Sequence, residues 1–362
     1  MADILFVTVD GGGNVPPLLG VAREVAHAGH RVRVLGQGRL RPEVERYGLT
    51  LSPYRNTRAW DSTRQQSGLR WVPMLNDRSI FDAVAAACAG DAPDVAVVDC
   101  MIPPAHAAVD QAGIPRVVLT HTYKAYMDGL HRLTLGAAAR TYGYNTVRLW
   151  DSAPVNLVTT LRELDPAAAR RHAPNVRWSG VVDAGGSAQS GASGPPLVLV
   201  SLSSNGFRGQ LHTLRRIVAA LGSMSVRAIV TTGGVIDPSD LRSPGNVEIV
   251  GYADHLDILP RCSLLIGHGG HSTTVRALAH GVPVLALPAS PMTDQRMVAR
   301  SVAAAGAGAA LSRFSSARAI RRAAETLLRD PGCREGAARL GAAVRGSNGA
   351  VNAAQAILEL AD

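Results

Sequence analysis

The chain has 362 residues, 46% of them hydrophobic and 4% aromatic, and its 37 Lys and Arg against 28 Asp and Glu give a formal net charge of +9. That length suits two domains of ordinary size, each able to bury its own core. Several classes are set aside by composition: four cysteines, Cys88, Cys100, Cys262 and Cys333, lack CxxC or zinc-finger spacing and read as reduced thiols in a cytoplasmic protein without a structural metal, no run nears the roughly 18 apolar residues of a membrane span, and dispersed arginines with few aromatics fit a solvated basic surface or an anionic ligand better than nucleic acid.

In chain order, Ile4 to Val9 is an apolar run, Asp10 to Pro17 (DGGGNVPP) a loop, and Val15, Leu18, Leu19, Ala22, Val25 and Ala26 keep helical spacing. The start, MADILFVTVDGGG, reads as a strand running into glycines and not as a secretory leader. His30 to Leu35 supplies the next strand, so the opening is a βαβ unit of a doubly wound parallel sheet. A dinucleotide oxidoreductase is the obvious rival, but Gly11, Gly13 and Pro16 do not form G-x-G-x-x-G, and Gly36-Gln37 ends the second strand without an acidic residue for a ribose. Pro42 to Tyr47 reads as a short helix, and Ser52 to Asp77, with Trp60 and Trp71, as a mobile loop whose tryptophans line a small-molecule pocket or bury the loop's stem.

Ile80 to Cys88 reads as a helix and Asp94 to Val98 as a strand ending at Asp99, at the carboxyl edge where α/β sheets place their sites. Val117 to Leu119 is a strand followed by Thr120, His121, Thr122 and Tyr123, again at a strand end. Residues 124 to 150 read as pocket helices, Val155 to Thr159 as a strand, Asn175 to Val182 as an extended piece, and 183 to 196 (DAGGSAQSGASGPP) as a linker. The expected organisation is therefore a first domain over 1–182, a linker over 183–196, a second domain over 197–348 and a final helix over 349–362. In the second domain the βαβ rhythm restarts with the strand Leu197 to Leu202 and a turn at Ser203 and Ser204, then a helix from Leu211 to Leu221, a strand from Arg227 to Thr231 and another from Val247 to Val250.

The densest stretch is Leu264 to Gln295, LLIGHGGHSTTVRALAHGVPVLALPASPMTDQ. A strand ends in Gly267, Gly269 and Gly270, which allow tight turns, and an amphipathic helix opens at Ser272 to Thr274. A helix N-terminus carries unpaired N–H groups and about half a unit of positive charge, so a phosphate or diphosphate is its natural ligand. Asp294-Gln295, after a second strand and Pro288, can bond several hydroxyls.

His268-Gly-Gly-His-Ser-Thr-Thr, Gly281-Val-Pro, Pro288 and Asp294-Gln295 together resemble the donor signature of the family 1 glycosyltransferases, and are most similar to the bacterial branch that decorates antibiotics and other natural products. The resemblance, with weaker motifs, spans nearly the whole chain. It implies an α/β GT-B fold, with two Rossmann-like doubly wound parallel-sheet domains facing a cleft and the last helix crossing back to the first domain. It implies a metal-independent, inverting transfer of a sugar from a UDP- or TDP-linked donor to a small-molecule acceptor. His268, Gly270, Ser272 and Thr273 would hold the diphosphate and Asp294 and Gln295 the sugar. Ser203, Tyr252, Ala253 and Asp254 would hold the nucleoside, and Gly12, Gly13, Trp60, Trp71 and Tyr123 would line the acceptor pocket. No cofactor beyond the nucleotide sugar, no nucleic acid and no integral membrane partner is implied, and a homodimer is allowed.

The departure from the family is at the base. Relatives keep a histidine in an early Gly-His-x-x-Pro segment, whereas this chain has Gly13-Asn14-Val15-Pro16-Pro17, and an asparagine amide has no titrating base. Asp99 and His121 are the candidates to take over, with Asn14 orienting. Two alternatives stay open: an acceptor nucleophilic enough to need no base, or an inactive nucleotide-sugar-binding accessory protein for a partner transferase. A sugar-nucleotide epimerase finds no matching pattern.

Overall fold

The computed structural model describes residues 1–64, 68–182, 184–185, 194–203 and 205–361; most of the expected linker and Ser204 lie outside them. Two compact units separate: Met1–Asp61, Ser67–Asp183 and Ser347–Asp362 form the first, and Ser62–Gln66 with Ala184–Gly346 the second.

The first unit runs β1 (Asp3–Val7), α1 (Val15–His27), β2 (Arg31–Gly36), α2 (Arg41–Arg46), β3 (Leu51–Pro53), α3 (Gly68–Leu75), α4 (Arg78–Gly90), β4 (Val95–Asp99), α5 (Pro103–Gln111), β5 (Arg116–Thr120), α6 (Lys124–Leu133), α7 (Leu135–Thr141), α8 (Thr146–Asp151), β6 (Val155–Val158) and β7 (Val176–Trp178). Its strands form one parallel sheet in the order β3-β2-β1-β4-β5-β6-β7, so the winding reverses between β1 and β4. The unbroken apolar run of β1 follows from burial on both faces. Ile4 and Phe6 pack with Leu18, Leu19 and Val25 of α1, while Leu5 and Val7 pack on the other side with Ile80 and Val84 of α4. Each fully buried side chain of this kind contributes about 1.5–3 kcal/mol.

The segment from Ser52 to Asp77, expected as a mobile loop, instead carries the end of β3 and the helix α3. Trp71, Met74 and Leu75 have i, i+3, i+4 spacing, and with Trp60 they close over the face that holds Ile80 and Val84. The arginine-rich composition hid a stripe only three residues wide.

The second unit runs β8 (Leu197–Ser201), α9 (Gln210–Leu221), β9 (Arg227–Thr231), β10 (Val247–Val250), α10 (His255–Ile258), β11 (Leu264–Gly267), α11 (His271–Ala279), β12 (Val284–Ala286), α12 (Gln295–Ala304), β13 (Gly308–Ala310), α13 (Ala317–Arg329) and α14 (Pro331–Gly346). Its parallel sheet has the order β10-β9-β8-β11-β12-β13, reversing between β8 and β11. Val198, Val200, Ile266 and Leu285 form its core with Leu214 and Ile217 of α9 and Ile320, Ala324 and Leu327 of α13.

The last helix, α15 (Gly349–Leu358), belongs to the first unit, where Ala353, Ala354 and Ile357 join the cluster around α1. Asn352 Nδ2 donates to Ser179 O at 2.9 Å, and a Cβ at Gly349 would lie 2.3 Å from Val181 O, so only glycine allows this approach. Among the described residues no helix is long and apolar enough to cross a membrane.

Candidate functional site

Parallel doubly wound sheets bind ligands outside the carboxyl ends of their strands, where the winding reverses. In the first unit that point lies between β1 and β4. Val7 pairs with Val98 and Asp99 with Leu119, so the loop after β1, the end of β4 and the residues just beyond β5 converge there.

Asn14, Asp99 and His121 meet at this point. Asn14 Nδ2 donates to Asp99 Oδ2 at 2.7 Å and to Val9 O at 2.9 Å, and Asn14 Oδ1 accepts from Gly11 N at 3.1 Å. The other carboxylate oxygen, Asp99 Oδ1, accepts from Met101 N at 2.9 Å. His121 Nδ1 lies 3.4 Å from Asp99 Oδ2. Asp99 is 0% exposed and Asn14 1%, whereas the His121 side chain keeps 12%. Of the three, the imidazole is thus the group with an edge open to a ligand.

Electrostatics reinforce the pairing. Burial alone would raise the Asp99 pKa, but the His121 charge and the bonds from His121, Met101 and Asn14 hold it below the usual carboxylate value. Burial would lower His121, yet the Asp99 carboxylate overrides it and holds the imidazole well above its ordinary value. Cys100 Sγ sits 3.8 Å from His121 Nδ1, but burial raises the thiol, so it stays protonated near neutral pH and the stabilising negative charge is the carboxylate's. Asp99, Cys100 and His121 bring a carboxylate oxygen, a thiol and a ring nitrogen within 4.8 Å of one another. A small cation could use that spacing, at the cost of the Cys100 proton and in competition with the Asn14 amide on Asp99 Oδ2. Below it, His106 Nε2 lies 3.1 Å from Asp99 O, and burial followed by Arg116 lowers its pKa to about 3, leaving a neutral ring that braces the turn.

In the second unit the reversal point brings together the ends of β8 and β11. The helix α11 starts at His271, one residue before the expected opening, with Gly270 as its N-cap in extended conformation. Ser272 and Thr273 lie in the first turn, where N–H groups lack intrahelical acceptors. His268 is 9% exposed with a partnerless Nδ1, and its ring lies against Gly270, where a Cβ would come within 2.2 Å of Nε2. Burial, and then His255, lower the His268 pKa to about 4, so it presents a neutral ring.

Gly269 (φ +77°) joins this turn to the next motif, since a Cβ there would lie 2.9 Å from Gln295 O. Gln295 is buried, and its Oε1 accepts from Ala289 N at 2.7 Å and Ser290 N at 3.3 Å. That fixes the loop after β12 and leaves the Gln295 amide hydrogens for a ligand. Asp294 is the half-buried N-cap of α12, without a side-chain capping bond.

The remaining expected residues are placed as follows. Gly12 and Gly13 form the turn before Asn14, Gly12 with φ +80°. Trp60 Nε1 donates to Asp10 O at 2.8 Å, and its ring meets Trp71 edge-on at 4.8 Å, so both tryptophans brace that loop while remaining half-buried. Tyr123 is fully buried at the start of α6, so the expected pocket residue is closed off from solvent. Ser203 Oγ accepts from Asn205 N, and Gln210 Nε2 donates to Ser203 O. Tyr252 is exposed, Ala253 half-buried, and the Asp254 carboxylate caps α10 by accepting from Leu256 N at 2.9 Å. Two groups escaped the sequence reading: His255, whose Nε2 lies 3.4 Å from Thr231 Oγ1, and Thr232, whose buried hydroxyl has no partner. Their only signal was position, one just after a capping aspartate and the other just past a strand end.

The erythromycin biosynthesis protein CIII-like C-terminal domain family matches residues 215–360. The demethyllactenocin mycarosyltransferase of Streptomyces fradiae is 33% identical over 174 residues, which is 48% of this chain and only 37% of that protein. The 4'-demethylrebeccamycin synthase of Lentzea aerocolonigenes is 26% identical across 94% of each chain. Among solved structures, the glycotransferase of kitacinnamycin superposes with a TM-score of 0.83 over 99% of both chains at 23% identity, which shows the shared fold.

Proposed function

Since the chain belongs to the family 1 glycosyltransferases of GT-B fold, in their bacterial natural-product branch, we propose that it moves a sugar from a UDP- or TDP-linked donor to a nucleophilic atom of a small natural product, with His121 as the general base. The observation that carries the base assignment is the His121–Asp99 pair, with a ring nitrogen 3.4 Å from a carboxylate that is itself sealed from solvent. Asp99 cannot reach an acceptor. It can fix the tautomer and hold the charge His121 gains on taking the acceptor's proton, while the other ring nitrogen does the transfer. Asn14 replaces the base relatives keep at this position and orients Asp99 without titrating.

On this reading the second unit binds the donor. The α11 amides, Ser272, Thr273 and His268 stabilise the departing diphosphate without a metal, and Asp294 and Gln295 hold the sugar. Attack opposite the leaving diphosphate inverts the anomeric centre. The first unit takes the acceptor beside Gly12, Gly13 and the Trp60–Trp71 pair. The accessory-protein alternative has no support from the Asp99–His121 geometry, which a scaffold does not need. His121→Ala should lower turnover about 100-fold or more while nucleoside diphosphate binding, measured by calorimetry, stays unchanged. Unchanged turnover with a hydroxyl acceptor would move the chemistry to an acceptor that needs no base.

A further inference from the structure

The second unit holds a cavity that none of these roles uses. Pro288 to Pro291, the outer face of α12 and the segment Ala310 to Phe314 enclose about 270 Å³. Arg296, Arg300 and Arg313 line it, and no carboxylate does. Arg296 and Arg300 lie one turn apart on α12, so their side chains share a face. Arg313 is fixed in place: its Nη1 donates to Ala289 O at 2.7 Å and Arg208 O at 3.0 Å, and its guanidinium sits 4.6 Å from the Phe314 ring centre. None of the three forms an ion pair among the described residues. Ser290 Oγ and Ser312 Oγ, which also line the cavity, accept from Met292 N and Phe314 N and so keep their hydroxyl hydrogens to donate.

Three arginines and two serines line one small cavity and no acidic residue does, so its polar lining is rich in hydrogen-bond donors and carries uncompensated positive charge. We infer that this cavity binds a phosphate-sized oxyanion, at a site separate from the α11 helix start. It lies behind the loop whose Ala289 amide holds Gln295, but oxyanion binding there does not depend on the donor assignment.

The probe is inorganic phosphate, titrated calorimetrically into the full chain in chloride-free buffer, with and without saturating nucleoside diphosphate. One saturable phosphate site should persist in the presence of nucleotide. Arg296→Ala and Arg300→Ala should each weaken it about tenfold, the scale of one charge-assisted hydrogen bond. Arg300→Lys, which keeps the charge without the fork, should lose less, and thermal melts should show each variant folded. Should Arg300→Ala fail to fold, Arg296→Gln gives the same reading. Absence of saturable binding, equal affinity in the arginine variants, or displacement by nucleotide together with loss in His268→Ala would overturn the site. Failure of the nucleotide to bind would instead count against the donor reading, and the arginine variants would still decide the phosphate site.

Discussion

The two strand-order reversals have the same local architecture, a strand, a glycine turn and a helix start, but they treat their polar groups in opposite ways. At the first, Asn14, Gly11, Val9, Met101 and Asp99 satisfy one another in a closed set beside which His121 keeps an open edge, and the partnerless His106 Nδ1 belongs to a ring whose other nitrogen already meets Asp99 O. At the second, His268 Nδ1 and the Thr232 hydroxyl are buried without partners, and the N-cap Gly270 offers no side chain to cap the start of α11. Buried polar groups left unpaired cost free energy, typically about 1–3 kcal/mol each, unless a ligand completes them. On the proposed reading, the contrast separates a preorganised proton mover from a site that an anion completes.

The largest effect expected in the second unit concerns the loop that Gln295 holds. Gln295→Ala and Asp294→Ala should each cut transfer from the full nucleotide-sugar donor by about 100-fold yet leave nucleoside diphosphate affinity within about twofold, because the proposed function assigns them to the sugar. Calorimetry with both ligands checks this, and equal losses for the two would merge the sugar and phosphate sites into one. Next comes His268→Ala, which should weaken nucleoside diphosphate binding by about tenfold at most. Without a ligand the ring is neutral, with a pKa near 4, so the loss is scaled to an ordinary hydrogen bond. Full affinity in a folded variant would take His268 out of the anion site. The smallest effect on rate is expected at Asn14. Asn14→Ala breaks the closed set, so stability should fall by about 1–3 kcal/mol in denaturant titration while turnover drops only severalfold. A loss as large as that of His121→Ala would make Asn14 part of the proton transfer.

Much of this architecture was legible in the sequence, for identifiable reasons. The buried strands β1, β4, β5, β8 and β11 are continuous apolar runs, and the α11 turn announces itself through Gly267, Gly269 and Gly270. The three-residue strand β3 and the helix α3 were not legible, because a short edge strand and a three-residue apolar stripe leave little periodicity. Asp99 and His121 could each be placed at a strand end. That they touch follows from the register that sets Asp99 opposite Leu119, and register is a long-range property. The meeting of His255 with Thr231, and the burial of Thr232, depend likewise on how β9 lies beside β10.

The central claim, that His121 is the base and Asp99 sets its proton affinity, is tested most directly by the pH dependence of kcat/KM in wild type and Asp99→Asn. The base form of His121 is populated only above its pKa, which Asp99 holds well above the ordinary value despite burial. Wild-type activity should therefore rise with pH through a midpoint above about 6.5, the ordinary histidine value. Removing the carboxylate charge leaves burial to act alone, which lowers a histidine. The account predicts that Asp99→Asn turns over more slowly at its plateau and that its midpoint moves to lower pH. An unshifted midpoint, or a rate independent of pH in both proteins, would contradict it.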